Sequence, residues 1–181
     1  MLIGDKVYLT TLDHANAETA RGWVNDPEVN RYLLTGQIPV SAVAEAEFYA
    51  GAERRYADRT GFMFEIHVKD SGLYIGNCGL DGVDLVHRHA EIGIVIGDLS
   101  QQNNGFGRDA IRCLLRFGFD TLGLHRIEIR YSTDNERAAY LYRSIGFKDV
   151  GVLRQHTFSR GRWEDEGVLD MLADEWAQLR D

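Results

Sequence analysis

Gln102-Asn103-Asn104-Gly105-Phe106-Gly107-Arg108 follows the apolar run Ile92-Gly93-Ile94-Val95-Ile96 and precedes a segment in which Ile111, Leu114, Leu115, Gly118 and Leu122 recur with the helical period. A strand, a glycine loop and a helix therefore stand in direct succession. Glycines at 105 and 107 remove the Cβ atoms that would keep a ligand from the backbone. Successive N–H groups at the helix start can then converge on one anion, with the helix dipole adding attraction. Arg108, in the first helical turn, opposes that dipole unless a bound anion shares the site, and Arg112 and Arg116 continue the same face. Taken alone, the loop reads equally as a tight turn beside a solvated arginine stripe or as a cradle for a phosphate. It is no Walker loop, because the Lys and hydroxyl of G-x-x-x-x-G-K-[ST] are missing, and it lacks the third glycine and position of a dinucleotide fingerprint.

Outward from this loop the chain reads as a mixed sheet. Before it come a strand over residues 6–11, helices over 14–23 and 43–56 separated by Asn25-Asp26-Pro27 and Pro39, a hairpin of 62–68 and 74–80 turning at Asp70-Ser71-Gly72, and a strand over 90–96. After it come the strand 126–131, whose R-I-E-I-R-Y alternates, a helix over 135–145 ended by Gly146 with Phe147 as its apolar clasp, and strands over 150–153 and 168–172. Hairpins followed by strand, helix, strand, helix and two strands predict a mixed α/β (α+β) sheet with helices packed on its faces.

The 181 residues fit a single domain over 1–181, and 44% hydrophobic with 27% charged residues excludes intrinsic disorder. A net charge of −8 is the wrong sign for broad nucleic-acid or anionic-membrane binding. The charge is uneven: residues 101–162 carry 11 Arg/Lys against 6 Asp/Glu, so that block is +5 and the remainder −13. Cys78 and Cys113 form no C-x-x-C pair, and no apolar leader or bilayer-length segment appears, which predicts a cytoplasmic protein. His87, His89 and Glu91 alternate as on one strand face, but no further ligand follows at a metal-site spacing, so a pH-sensitive patch or part of a substrate pocket is the expectation.

In the helix over 135–145, Ala138, Leu141, Tyr142 and Ile145 share one face. Asn135-x-x-Ala138-x-x-Leu141-Tyr142-x-x-x-Gly146-Phe147, placed after Gln102-x-x-Gly105-x-Gly107, resembles the GNAT superfamily of acetyl-CoA-dependent N-acetyltransferases. Trp23-Val24-Asn25-Asp26-Pro27-Glu28-Val29, Gly151-Val152-Leu153-Arg154, Gly161-Arg162-Trp163 and Asp165 resemble its branch of ribosomal-protein N-terminal and polyamine or small-amine acetyltransferases. The resemblance implies a central, mostly antiparallel twisted sheet, splayed near its middle and flanked by helices. It implies that Gln102, Asn103, Asn104, Gly105, Phe106, Gly107 and Arg108 hold the coenzyme A pyrophosphate. By the same resemblance Ile94, Val95 and Ile96 offer backbone to the pantetheine amides, Gly93 and Gly97 permit a bulge that splays the strand, Asn135 binds the pantetheine arm, and Tyr142 lies near the sulfur. A homodimer is compatible with the branch, and no sequence feature fixes it.

Acetyl transfer to an amine requires a base, an oxyanion donor and a hydrogen-bond or proton donor for the departing thiolate. Tyr142 is assigned as general acid, Glu91 as candidate base and a backbone N–H at Ile94 or a neighbour as oxyanion donor. Glu91 reads equally as a strand-end carboxylate paired with Arg88 or an arginine of the next strand. Asn104 stands where Lys is common in the branch, and Ala138 where some ribosomal-protein acetyltransferases carry serine, which gives Tyr142 more weight. The acceptor is expected to be a primary amine, cationic in bulk, to which Glu45, Glu47, Glu53, Asp81 and Asp84 could contribute attraction. The alternative class is a non-catalytic acyl-CoA sensor using the same cradle.

Overall fold

The computed structural model describes residues 1–33 and 38–179. Eight strands form one sheet in the order β1-β2-β3-β4-β5-β6-β8-β7. β1 (Leu2–Ile3), β2 (Val7–Thr11), β3 (Phe62–Val68), β4 (Tyr74–Asp84) and β5 (His89–Ile96) are antiparallel neighbours. β6 (Arg126–Ser132) runs parallel to β5, because α3 (Phe106–Arg116) makes the crossover between them. β8 (Arg162–Leu172) returns antiparallel to β6, and β7 (Lys148–Ser159) closes the edge. The remaining helices are α1 (Ala17–Asn25), α2 (Ala42–Asp58), α4 (Glu136–Ile145) and α5 (Ala173–Leu179).

The pairing registers divide the sheet into two unlike faces. Phe62, Leu80, Ile92, Ile129 and Leu169 lie across from one another on the first face, which is buried together with Ile111, Leu114 and Leu115 of α3. Each such apolar side chain contributes about 1.5–3 kcal/mol of burial. The second face carries Glu65, Asn77 and Val95 in one row and Asp81, Glu91, Glu128 and Asp170 in another. It is polar, and α1 lies over part of it: Asn16, just before α1, donates its side-chain amide to Glu65, and the Trp23 ring meets Tyr74 at a tilt, with centroids 4.7 Å apart.

Several expectations shift. The strand edges extend, most of all for the last two, where β7 and β8 make a long hairpin in place of 150–153 and 168–172. β7 is exposed along almost its whole length, so it has no buried alternation for a sequence pattern to display. The short strand β1 and helix α5 were outside the sequence pattern; α5 docks through Trp176, which is buried against Phe119. The bulge expected at Gly93 and Gly97 is absent, since β4 and β5 stay in unbroken register from Gly76↔Ile96 to Asp81↔Glu91. The register shift falls between Asp81 and Asp84 instead, and Gly97 serves to admit the Trp23 ring, which a Cβ would meet at 2.1 Å. His87 and His89 do not share a strand face, because His87 belongs to the turn in which Arg88 has φ +58° and β5 starts only at His89. Among the described residues, no helix is long and apolar enough to cross a membrane.

Candidate active site

β5 and β6 pair from His89↔Arg126 to Ile92↔Ile129 and then part. β5 continues against β4 to Ile96, β6 against β8 to Ser132, and the edges that face each other have no strand partner among the described residues. The splay thus arises from two strands that follow different neighbours. A cleft of about 1710 Å³ opens at this gap. Pockets for one small ligand measure roughly 300–1,000 Å³, so there is room here for two substrates. Glu91, Ile94, Val95, Ile96, Gln102, Asn103, Gly105, Phe106, Gly107, Arg108, Asn135 and Tyr142 all line it. Asn104 does not: its carbonyl turns to Lys6, whose Nζ donates at 2.9 Å.

The loop has the geometry of an anion cradle. Asn103 and Gly105 adopt φ +66° and +83°, and Gly105 caps α3. The helix ladder begins with Asp109 N–H donating to the Gly105 carbonyl at 3.2 Å, which leaves the N–H groups of Phe106, Gly107 and Arg108 as the unpaired donors of the first turn. A Cβ at Gly107 would meet no protein atom nearer than 3.8 Å, so the glycine keeps open a space that the protein does not fill. Gln102 ties the loop to the strand by donating Nε2–H to the Ile96 carbonyl at 3.0 Å.

Two residues that the sequence did not single out hold this corner. Asp109, buried in α3, accepts from the N–H groups of Lys6 at 2.7 Å and Val7 at 2.9 Å, clamping β2 to the helix, while Lys6 props the loop from outside. No local spacing connects position 6 with 104 or 109, so the sequence carries no signal for the clamp. The Arg108 guanidinium forks onto α4, donating to the Ser144 carbonyl at 3.2 Å and to Ser144 Oγ at 2.6 Å. In the structure, then, Arg108 supplies a backbone N–H to the cradle and a side-chain strut between the two motif helices.

Asn135 caps α4, its Oδ1 accepting from Ala138 N–H at 3.1 Å, and the residue lines the cleft. Tyr142 stands two turns further along the buried face of α4, edge-on to Tyr131 at 6.3 Å and to Phe147 at 6.3 Å. Burial pushes its phenol up to about 12. A group held there stays protonated at every working pH. It is a permanent hydrogen-bond donor, and full proton transfer to a thiolate of ordinary pKa near 8.5 would run uphill.

Glu91 belongs to the other face of the sheet, so Tyr142 and Glu91 flank the gap from opposite sides. Arg130 Nε lies 3.4 Å from Glu91, which is the arginine of the next strand that the alternative reading anticipated. That arginine is shared: it donates to Glu128 at 2.8 Å, and Glu128 also meets Arg126 at 2.9 Å, which in turn meets Asp170 at 2.6 Å. Burial raises the Glu91 pKa, Arg130 offsets this in part, and the carboxylates of Glu128, Glu166 and Asp81 reinforce the rise. The result is a half-exposed carboxylate with more basic character than an ordinary glutamate.

Residues 6–148 match the Acetyltransferase (GNAT) domain model. The N-acetyltransferase YoaA of Bacillus subtilis is 30% identical over 170 residues, spanning 93% of this chain and 94% of that protein. The spermidine N(1)-acetyltransferase of Vibrio cholerae is 35% identical over 91 residues, half of this chain and 52% of that one. A crystal structure of spermidine N-acetyltransferase from Vibrio cholerae in complex with CoA and spermine superposes with a TM-score of 0.84 over 95% of this chain and 98% of that one, at 24% identity, which speaks to the fold. The domain match over most of the chain, with a splayed β5/β6 gap, a glycine cradle at the start of α3 and Tyr142 on α4, establishes that this protein belongs to the GNAT family of acetyltransferases.

Proposed function

We propose that the cleft transfers an acetyl group from acetyl-CoA to a primary amine by direct attack while both substrates are bound, with Glu91 as base and Tyr142 as donor to the leaving sulfur. The observation that carries this reading is the gap itself: the β5 edge from Ile94 to Ile96 has no strand partner beyond β4, apart from the Ile96 carbonyl held by Gln102, with a raised-pKa carboxylate on one side and a protonated phenol on the other. The unpaired N–H groups of Phe106, Gly107 and Arg108 hold the pyrophosphate, and the free edge of β5 pairs with the pantetheine amides as an added strand would. Asn135, its Oδ1 committed to the helix cap, has its amide nitrogen left for the same arm.

The donor supplies the activated acyl carbon; the protein supplies alignment and protons. Glu91 takes a proton from the ammonium, directly or through one water, and the freed nitrogen lone pair attacks the thioester carbon. Backbone N–H at Ile94 or its neighbour faces the developing oxyanion. The carbon–sulfur bond then breaks, the Tyr142 hydroxyl hydrogen-bonds the sulfur as negative charge gathers on it, and the second proton, shed by the attacking nitrogen, passes through solvent to the thiolate, so that coenzyme A leaves as the thiol. The amide product and coenzyme A leave, and the proton on Glu91 returns to solvent. The cleft's capacity for two ligands supports a ternary complex over a covalent acyl-enzyme, and the two free cysteines, Cys78 and Cys113, are both buried. Buried free thiols also fit a reducing cytoplasm.

Thiol release from acetyl-CoA, measured against peptide N-termini, polyamines, amino sugars and aminoglycosides, tests the reading. Release with at least one amine class is expected; tight coenzyme binding without release across the whole panel would replace the enzyme by an acyl-CoA sensor.

A further inference from the structure

Gly93 stands within β5 and Gly97 just after it, and the fold accounts for only the second. Gly97 makes room for the Trp23 ring. Gly93 marks no bulge, keeps a φ outside the left-handed region and, given a Cβ, would meet no atom of the described residues within 4 Å. It is nevertheless exposed, inside a central strand and on the wall of the cleft. An interior glycine weakens a strand, because it adds backbone freedom to the unfolded chain and packs nothing. One that neither turns the chain nor admits a protein group marks a place where a ligand comes close.

The position of Gly93 makes that ligand the acceptor. It lies two residues beyond Glu91 on the same face of β5, about 6–7 Å along the strand, and directly precedes Ile94, the proposed oxyanion donor. Across the sheet its neighbour is Gly79 and the next is Met63, whose Sδ covers Gly79 so closely that a Cβ there would come within 2.4 Å of it. The surface beside Glu91 thus steps down from the Met63 thioether to bare backbone at Gly93, with Val95 next on the same face. Charge does not select the occupant of this step, because both signs line the cleft and are engaged with one another or with a ring. Arg55 lies 3.5 Å from Asp81, Arg130 serves Glu91 and Glu128, and Arg31 lies over the Tyr32 ring at 5.2 Å. What the missing side chain leaves open is space bordered by apolar groups.

We infer that Gly93 sets acceptor specificity: the space above it holds an apolar substituent on the carbon that bears the reacting nitrogen, so that this protein acetylates amines on branched carbons at least as well as their straight-chain isomers. The inference rests on reading the cleft as the acetyl-transfer site. A nitrogen held between Glu91 and the thioester carbon passes over position 93, where a branch on its own carbon and a Cβ on the protein would claim the same volume.

The test compares kcat/KM for sec-butylamine and n-butylamine in wild type, Gly93→Ala and Gly93→Val. Wild type is expected to acetylate sec-butylamine at least as efficiently as n-butylamine. Gly93→Ala should lower the ratio of the two about tenfold or more, the scale of one misplaced methylene group in a fitted pocket, and Gly93→Val should lower it further. The KM for acetyl-CoA should stay at its wild-type value and the melting temperature of Gly93→Ala should match or exceed that of wild type, since the added methyl meets no protein atom. A ratio that survives Gly93→Ala, or a wild type that acetylates other amines but not sec-butylamine, would overturn the inference while leaving the transfer reading intact. So would a lower melting temperature in Gly93→Ala, which would show that the protein itself fills the space. A wild type that releases thiol with no amine of the panel under Proposed function removes both.

Discussion

Arg130 approaches Glu91 no closer than 3.4 Å because its hydrogen bond goes to Glu128, 2.8 Å away on its own strand. Positions 128 and 130 share a strand face, and position 128 pairs with 91, so the three side chains form a triangle in which one cation serves two carboxylates. Substituting Glu128→Gln removes Arg130's stronger partner and a negative neighbour of Glu91. Both changes favour the ionised form of Glu91 and weaken it as a base. The acid limb of the kcat/KM profile should therefore move to lower pH, with a fall of a few-fold on the plateau. Glu91→Gln should lower kcat/KM by about 10²–10⁴ and abolish that limb. A limb that stays in place in Glu128→Gln would show that Arg130 is not divided in this way.

Tyr142→Phe deletes the sulfur's donor and little else, since the ring's contacts with Tyr131 and Phe147 are retained. It should lower kcat by roughly 10²-fold or more, the scale of a general acid or oriented donor, with acetyl-CoA affinity nearly unchanged. Because the phenol is held at about 12, wild type should show no alkaline limb from Tyr142 below pH 10. Single-turnover rates with a bound-coenzyme titration check both points, and an unimpaired rate in the phenylalanine variant would take Tyr142 out of the chemistry.

The two loop glycines serve different needs and should fail differently. Gly105 has φ +83°, and an added Cβ would also lie 3.2 Å from Lys6 Nζ, so Gly105→Ala should destabilise the fold by about 1–2 kcal/mol. A Cβ at Gly107 would make only ordinary contacts, at 3.8 Å with Ile96 and 3.9 Å with Ile94, so Gly107→Ala should melt like wild type. That methyl would instead intrude on the ligand's path to the first-turn N–H groups, and coenzyme A affinity should fall about tenfold or more. Melting curves and coenzyme titrations of the pair separate the roles. Loss of stability in Gly107→Ala would remove the ligand-based explanation.

What the sequence revealed follows from the range of the interactions. Alternation in R-I-E-I-R-Y, the helical period after the glycine loop and the Gly146 stop are local patterns, and β6, α3 and α4 appear where those patterns predict them. The glycine loop and Tyr142 were legible because a motif keeps its chemistry within a few residues, although their meeting across one gap depends on the parallel β5–β6 pair. Interactions that span the chain left no local trace: Lys6 on Asn104, Asp109 on β2, and Arg108 on Ser144 join residues 36 to 103 positions apart. Glu45 shows the same limit. Its sequence neighbours Glu47 and Glu53 are solvated, and only packing distinguishes the buried carboxylate from them.

That distinction also has a consequence for stability. Burial raises the Glu45 pKa in the folded state above its unfolded value of about 4.3, while Arg21 pulls it back and Glu18 adds to the rise. A carboxyl shifted upward contributes its full stability below the unfolded pKa and loses it as pH rises through the folded pKa. At neutral pH the folded protein therefore carries the burden of an ionised group to which no described residue donates a hydrogen bond. Glu45→Gln keeps the shape and cannot ionise, so it should melt higher than wild type at pH 7. A gain of about 1 kcal/mol would appear as roughly 2–4 °C in a chain of this size. The advantage should shrink as the pH is lowered and vanish below about pH 4, where Glu45 is protonated in both states. Melting temperatures of the two proteins from pH 4 to 8 decide the matter: a constant difference, or a less stable glutamine variant at pH 7, would mean that the carboxylate already has its partner within the fold.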